Sequence, residues 1–307
     1  MELTRIGEVR RLLAAYGLRP RKSRGQNFLV AAGVLDKILE AAEIRAGDLV
    51  VEIGPGLGAL TRRLVEDGAR VVAVELDAGL LLVLRDVLSD YADRVRLIQA
   101  DALEVDYDAL LKTVVGRQSP EVGPAEGMRD VPFKVVANLP YYITSPFIAG
   151  FLEAGYGFER MVLMVQRETA ERMVAEPGTK AYGALTVLVC YHTRAEVFWR
   201  VSRHCFYPPP AVDSAIIRLF KREQPAVSVL RPDLYFRIVR AAFGQRRKML
   251  PNALDHCIPG LDRKAWTRLI RDVGLDPQAR GETLTPEEFG IIADACAQMG
   301  FDPPAVV

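Results

Sequence analysis

The sequence is poor in the residues that build metal centres and disulfide frameworks: four cysteines (Cys190, Cys205, Cys257, Cys296) and three histidines occur in 307 residues. No two cysteines form a CxxC pair, and the neighbours His204-Cys205 and His256-Cys257 lack the ligand spacing zinc requires. No metal is therefore expected. Long apolar runs are missing too. Stretches such as Leu49 to Ile53 and Met161 to Val165 fall far short of a membrane span, and no charged, apolar, small-residue signal opens the chain. These absences predict a cytoplasmic, globular protein without a membrane partner. Net charge is also nearly absent, at +1.

What is present is unevenly placed. Residues 1 to 24 carry seven bases against two acids, and residues 221 to 248 carry eight against two, ending in Arg246, Arg247 and Lys248. The rest of the chain is acidic, so the two basic segments predict a localised phosphate-binding surface, with Arg21 and Lys22 in the first segment. Single charge runs are usually solvated helix faces, and that reading stands beside this one. Hydrophobic residues make up 50% of the chain, ample for a large core. Short β-branched runs alternate with helical periodicity between residues 47 and 166, the pattern of a parallel sheet covered by helices. Two further strand-like runs, Glu196 to Val201 and Asp213 to Phe220, are placed to pair antiparallel at a sheet edge. Helical patterns take over from residue 223. Residues 113 to 132, rich in Gly and Pro, read as a flexible insertion, and the final Pro303 to Val307 as a loose tail.

Strand Leu49 to Ile53 runs directly into Gly54-Pro55-Gly56-Leu57-Gly58, a turn where backbone can approach a ligand closely. Twenty-one residues after Gly54, Glu75 closes the next strand, where a carboxylate accepts hydrogen bonds from both hydroxyls of a ribose. NAD and S-adenosylmethionine satisfy these features equally. The GxGxG spacing, the acid Glu52 before the first glycine, and Asp101 after the third strand, placed for an adenine amine, favour S-adenosylmethionine. Taken one at a time, GxGxG could be a turn, Glu75 a surface carboxylate and Asp101 a helix cap. Their order at successive strand ends argues against that.

The loop Asn138-Leu139-Pro140-Tyr141 follows the fourth strand. For methyl transfer to an exocyclic adenine amine, the Asn138 side-chain oxygen and the Leu139 carbonyl can accept the NH2 protons and favour a more nucleophilic nitrogen. Pro140 fixes the turn, and Tyr141 offers a stacking face. With Gly25-Gln26-Asn27-Phe28-Leu29, Gln166-Arg167-Glu168, Lys180-Ala181-Tyr182-Gly183, and Phe206-Tyr207-Pro208-Pro209-Pro210 before Val212-Asp213-Ser214, this motif order resembles the bacterial small-subunit (16S) ribosomal RNA adenine N6,N6-dimethyltransferase family over roughly residues 21 to 250.

The resemblance implies an α/β fold, a Rossmann-like class I methyltransferase sheet with helices on both faces, spanning residues 1–222, plus a small all-helical, RNA-binding C-terminal domain, 223–307. It implies S-adenosylmethionine as cofactor and S-adenosylhomocysteine as product. The substrate would be small-subunit ribosomal RNA or the immature 30S subunit, dimethylated at two adjacent adenosines by a monomeric enzyme during ribosome biogenesis. Cofactor contacts are implied for Gln26, Asn27, Leu29, Gly54, Gly56, Glu75, Leu76, Asp101, Ala102 and Asn138, and stacking on the flipped adenine for Phe206 opposite Tyr141. Arg246, Arg247 and Lys248 join Arg21 and Lys22 as RNA contacts. Arg24 departs from the apolar or aromatic residue usual before Gly25-Gln26. A large-subunit adenine methylase of the macrolide-resistance type and a non-catalytic RNA-binding assembly factor are the alternatives, and a nicotinamide dehydrogenase is disfavoured by the glycine spacing.

Overall fold

Short, largely apolar runs without interior glycine or proline form the parallel strands of a seven-stranded sheet. The computed structural model describes residues 2–21, 24–116 and 132–300. Strands β2 (Leu49–Ile53), β3 (Arg70–Glu75), β4 (Val95–Gln99), β5 (Phe133–Asn138) and β6 (Phe158–Gln166) pair parallel. β9 (Ser214–Lys221) lies antiparallel on β6, with β7 (Thr193–Val201) at the edge beyond it. The order is β4-β3-β2-β5-β6-β9-β7. The chain thus runs outward from β2 to β4 and then returns to the other side of β2 with β5. That reversal opens a crevice at the carboxyl ends of β2 and β5, where open α/β sheets bind ligands.

Helices α2 (Ala32–Ala42) and α3 (Ala59–Glu66) bury Leu35, Ile38, Leu39, Leu60 and Leu64 against Val50, Val71, Val136 and Val162 of the sheet. Each fully buried Leu or Ile of this kind contributes about 1.5–3 kcal/mol. Helix α4 (Ala78–Val87) begins at a cap where Asp77 Oδ1 accepts from Gly79 N at 2.9 Å. Helix α5 spans Tyr107–Gly116, so the first four residues of the expected insertion are helical; residues 117–131 lie outside the described residues. Helix α6 is Thr144–Glu153 and α7 is Arg167–Met173.

The basic N-terminal stretch is not a bare extension. Val9 and Leu13 sit on one face of helix α1 (Ile6–Ala15) and pack with Phe28, Leu57, Leu80 and Val83.

Residues divide into two compact units, one of 1–170 and 196–221, the other of 171–195 and 222–307. The expected boundary at 222 therefore misplaces residues 171–195. Helix α8 (Ala184–His192) is apolar around most of its surface and needs helical neighbours, and Tyr191 packs on Tyr235 and Phe236 of helix α9 (Pro232–Gly244). Short helix α10 (Leu250–Ala253), helix α11 (Arg263–Asp272) and helix α12 (Pro286–Gln298) complete this unit. Trp266 is fully buried in it, and Thr285 and Glu288 form a capping box at the start of α12. Among the described residues no helix is long and apolar enough to cross a membrane, and no group of three or more His, Cys, Asp or Glu is placed to hold a metal.

Candidate active site

The crevice is a cavity of about 1140 Å³, open mouth included, within the sheet unit. Its floor is the turn after β2. Gly54 and Gly56 adopt φ of 65° and 61°, which side-chain-bearing residues rarely do, and a Cβ on Gly54 would lie 3.5 Å from Pro140 Cδ. Both glycines, with Leu76 and Ala102, line the cavity.

Three acids face this space. Glu75 ends β3 and is 8% exposed, with Oε1 accepting from Asp77 N at 2.9 Å. Burial raises its pKa above the ordinary carboxylate value, opposed by backbone hydrogen bonds from Asp77, Gly56 and Leu76. Glu52 is buried within β2, and its Oε2 has no hydrogen-bond partner among the described residues. Burial, reinforced by the charge of Glu75, pushes its carboxyl up to about 8. Asp101 follows β4 and lines the cavity, one oxygen accepting from Leu103 N at 2.9 Å. It is thus a local cap and a cavity residue at once. Arg24 is the only cation lining the cavity among the described residues, and its guanidinium is 3.1 Å from Asp77 Oδ2. An acid-rich pocket with a buried carboxyl that lacks a partner fits a cationic ligand with many donors, such as S-adenosylmethionine, whose charge favours ionised Glu52. It does not fit a pyrophosphate.

The opposite wall joins two segments distant in sequence. Asn138 Nδ2 donates to Asn27 O at 3.3 Å, which fixes the orientation of the Asn138 amide, while Asn27 Nδ2 donates to Gly25 O at 3.1 Å. Leu139 N donates to Met164 O at 3.1 Å, and Pro140 leads into a 3-10 turn, Tyr141–Ile143, before α6. The Tyr141 hydroxyl is 2.7 Å from Ser214 Oγ, which is fully buried on β9. Ser214 thus anchors the tyrosine ring, a role its place in the Val-Asp-Ser motif did not reveal. Gln26 and Leu29 also line the cavity, but the Gln26 side chain is turned to the arm, with Oε1 accepting from Arg21 N at 2.8 Å.

A family profile described as "Ribosomal RNA adenine dimethylase" matches residues 17–295. The chain belongs to the ribosomal RNA adenine dimethylase family. It is 48% identical over 292 residues to a "Ribosomal RNA small subunit methyltransferase A" of Pelotomaculum thermopropionicum, covering 95% of this chain and 96% of that protein. The same-named protein of Geobacillus kaustophilus is 43% identical, covering 95% and 96%. Among solved structures, a dimethyladenosine transferase of Plasmodium falciparum is similar with TM-score 0.70 and 25% identity, over 89% of this chain and 98% of that one. The 23S rRNA methyltransferase ErmE is similar with TM-score 0.60 and 28% identity, over 89% and 100%. The class I methyltransferase architecture expected from the sequence is thus the fold of this dimethylase.

Two expectations about the dimethylase need correction. Phe206 does not line the cavity. It is 3% exposed, in the two-residue strand β8 (Phe206–Tyr207) paired with β1 (Phe28–Leu29), and packs in the apolar core with Leu29, Val201 and Ile216. A Phe206→Leu substitution, nearly volume-conserving, should cost less than about 1.5 kcal/mol and leave turnover within about twofold. Urea unfolding alongside methyl-transfer rates checks this. Normal stability with a collapsed rate would return the ring to the target pocket.

The expected RNA cluster is also divided. One Arg246 guanidinium nitrogen donates to Lys180 O at 3.1 Å, Tyr182 O at 3.0 Å and Glu282 Oε2 at 3.0 Å, so Arg246 is a structural residue of the helical unit. Arg247 and Lys248 are exposed. Arg21 is paired with Asp77 at 3.0 Å, and Lys22 lies outside the described residues. Arg263, Lys264, Arg268 and Arg271, outside both basic stretches of the sequence, are exposed on α11 with no carboxylate partner among the described residues. Arg263 and Arg271, two turns apart, share a surface depression with Met249 and Asn252. Their helical spacing was the available signal.

Proposed function

We propose that this chain transfers methyl groups from S-adenosylmethionine to the N6 amines of two adjacent adenosines in small-subunit ribosomal RNA, leaving both dimethylated. The observation that carries this reading is the meeting of Glu52, Glu75 and Asp101 with the Asn138-to-Tyr141 loop around one cavity. Glu75 holds the ribose hydroxyls, Asp101 the cofactor's adenine amine, and Glu52 meets the positive end of the ligand. S-adenosylmethionine supplies an electrophilic methyl group on a sulfonium. The Asn138 Oδ1 and the Leu139 carbonyl accept hydrogen bonds from the target amine and orient its lone pair, and Tyr141 supports the base from the side. The proton released on transfer passes to water.

Identities of 41–48% to proteins named as small-subunit methyltransferases, against 28% to ErmE, favour the small-subunit target over the large-subunit alternative. The complete set of acids and the intact loop argue against a non-catalytic factor. Calorimetry with S-adenosylmethionine and NAD, followed by transfer of labelled methyl groups to under-methylated small subunits, tests the reading. Binding of NAD alone would overturn it.

The helical unit serves as the RNA-binding domain in this reading, through Arg247, Lys248 and the basic face of α11. Replacing Arg247 and Lys248 by alanine should flatten the salt dependence of RNA affinity, each lost phosphate contact removing about 0.7 to 0.9 from the log-log slope. Filter binding across a salt series measures this. Cofactor affinity should stay constant, and an unchanged slope would reduce the pair to a solvated turn.

A further inference from the structure

Asp77 has more partners than a helix cap requires. Its Oδ1 caps α4 through Gly79 N. Its Oδ2 accepts from Arg21 Nη1 at 3.0 Å, Arg24 Nη1 at 3.1 Å and Gln26 Nε2 at 3.3 Å, three donors from one short segment more than fifty residues earlier. The residue is only 6% exposed, and its backbone N–H is the donor that holds Glu75 Oε1. The segment before the arm is seated against the same helix start: a Cβ on Gly79 would lie 2.8 Å from Leu18 Cδ2.

The segment gathered by Asp77 continues directly into the cavity wall. Arg24, Gly25, Gln26 and Asn27 line the cavity, and the far end is tied to the target loop by the bond from Asn138 Nδ2 to Asn27 O. A strap therefore crosses the site, fixed to the end of β3 on one side and to the end of β5 on the other. We infer that Asp77 is a positioning residue whose carboxylate clamps this arm over the cavity and so sets how long the cofactor stays bound; this rests on the cofactor reading given above. The arm's two guanidiniums repel each other and are held together by one carboxylate. Without its charge, the near end of the strap loses its anchor while the far end keeps its bond.

Asp77→Asn isolates this role, because asparagine caps a helix as well as aspartate and is the same size, so α4 keeps its start. The Arg21 and Arg24 side chains are 52% and 39% exposed, so the effect should be moderate. Cofactor dissociation by stopped flow should be about three- to tenfold faster, the scale of two partly exposed ion pairs. Turnover at saturating cofactor should be unchanged, so that the loss appears in the KM for cofactor. Trypsin should cut faster after Arg21 and Arg24, and bound cofactor should protect these bonds in the wild type more than in the variant. Added salt should weaken cofactor binding in the wild type and do so less in the variant.

If the variant keeps both its cofactor affinity and its tryptic rates, the clamp is refuted. Weaker cofactor binding with unchanged arm cleavage also overturns it, since Asp77 would then act only through Glu75. If the wild type fails to bind S-adenosylmethionine, the cofactor reading fails, and the tryptic rates then judge the clamp by themselves.

Discussion

An Asn138→Ala enzyme is expected to transfer methyl groups about a hundred- to a thousandfold more slowly than the wild type at saturating cofactor, the loss typical of removing one preorganised polar group at a reacting centre. The geometry gives the reason. Asn138 ends β5, its Nδ2 is held by Asn27 O, and this bond settles which end of the amide is free to accept from the target amine. Alanine removes the acceptor and also releases the far end of the arm. Cofactor affinity should therefore fall as well, but by much less than turnover. Rapid-quench transfer rates measured beside cofactor titrations separate the two effects. A variant whose slower turnover follows entirely from weaker cofactor binding would take Asn138 out of the transfer step.

Glu75→Ala should weaken S-adenosylmethionine binding about ten- to a hundredfold while the protein stays folded. The interactions lost are hydrogen bonds to a charged carboxylate, worth about 1.5–3 kcal/mol. The carboxylate is buried at the end of β3 with one oxygen already engaged by Asp77 N, so no neighbouring side chain takes its place. Glu75→Gln, which keeps one acceptor, should fall between wild type and alanine. Calorimetry decides the matter, and an affinity unchanged in Glu75→Ala would sink the cofactor assignment.

The central strands were legible because they are buried on both faces and so written as near-continuous apolar runs, as in Leu49 to Ile53, where all five residues are buried. Glu75 and Asp101 were legible because each stands at or just past the end of a strand. Contacts that join distant segments were not. Nothing local marks Asp77 as the partner of Arg21 and Arg24, which precede it by 56 and 53 residues. Arg246 looked like a free cation because its partners include backbone carbonyls 66 and 64 residues away. Phe206 beside a proline run reads alike as a pocket wall and as core, and only its packing with Leu29 and Ile216 distinguishes them. The boundary at 222 followed the end of the strand signal, whereas α8 is assigned by the helices it packs on.

The central claim is that one cavity joins a sulfonium cofactor to an adenine amine of small-subunit ribosomal RNA. Its most direct test is to incubate the protein with isotopically labelled S-adenosylmethionine and under-methylated small subunits, then identify and map the labelled nucleosides by mass spectrometry. The account predicts label in N6,N6-dimethyladenosine at two adjacent positions of the small-subunit RNA, appearing about a hundred- to a thousandfold more slowly in an Asn138→Ala control. Label on ring carbons, on ribose or on another base, or none in the wild type, would contradict it.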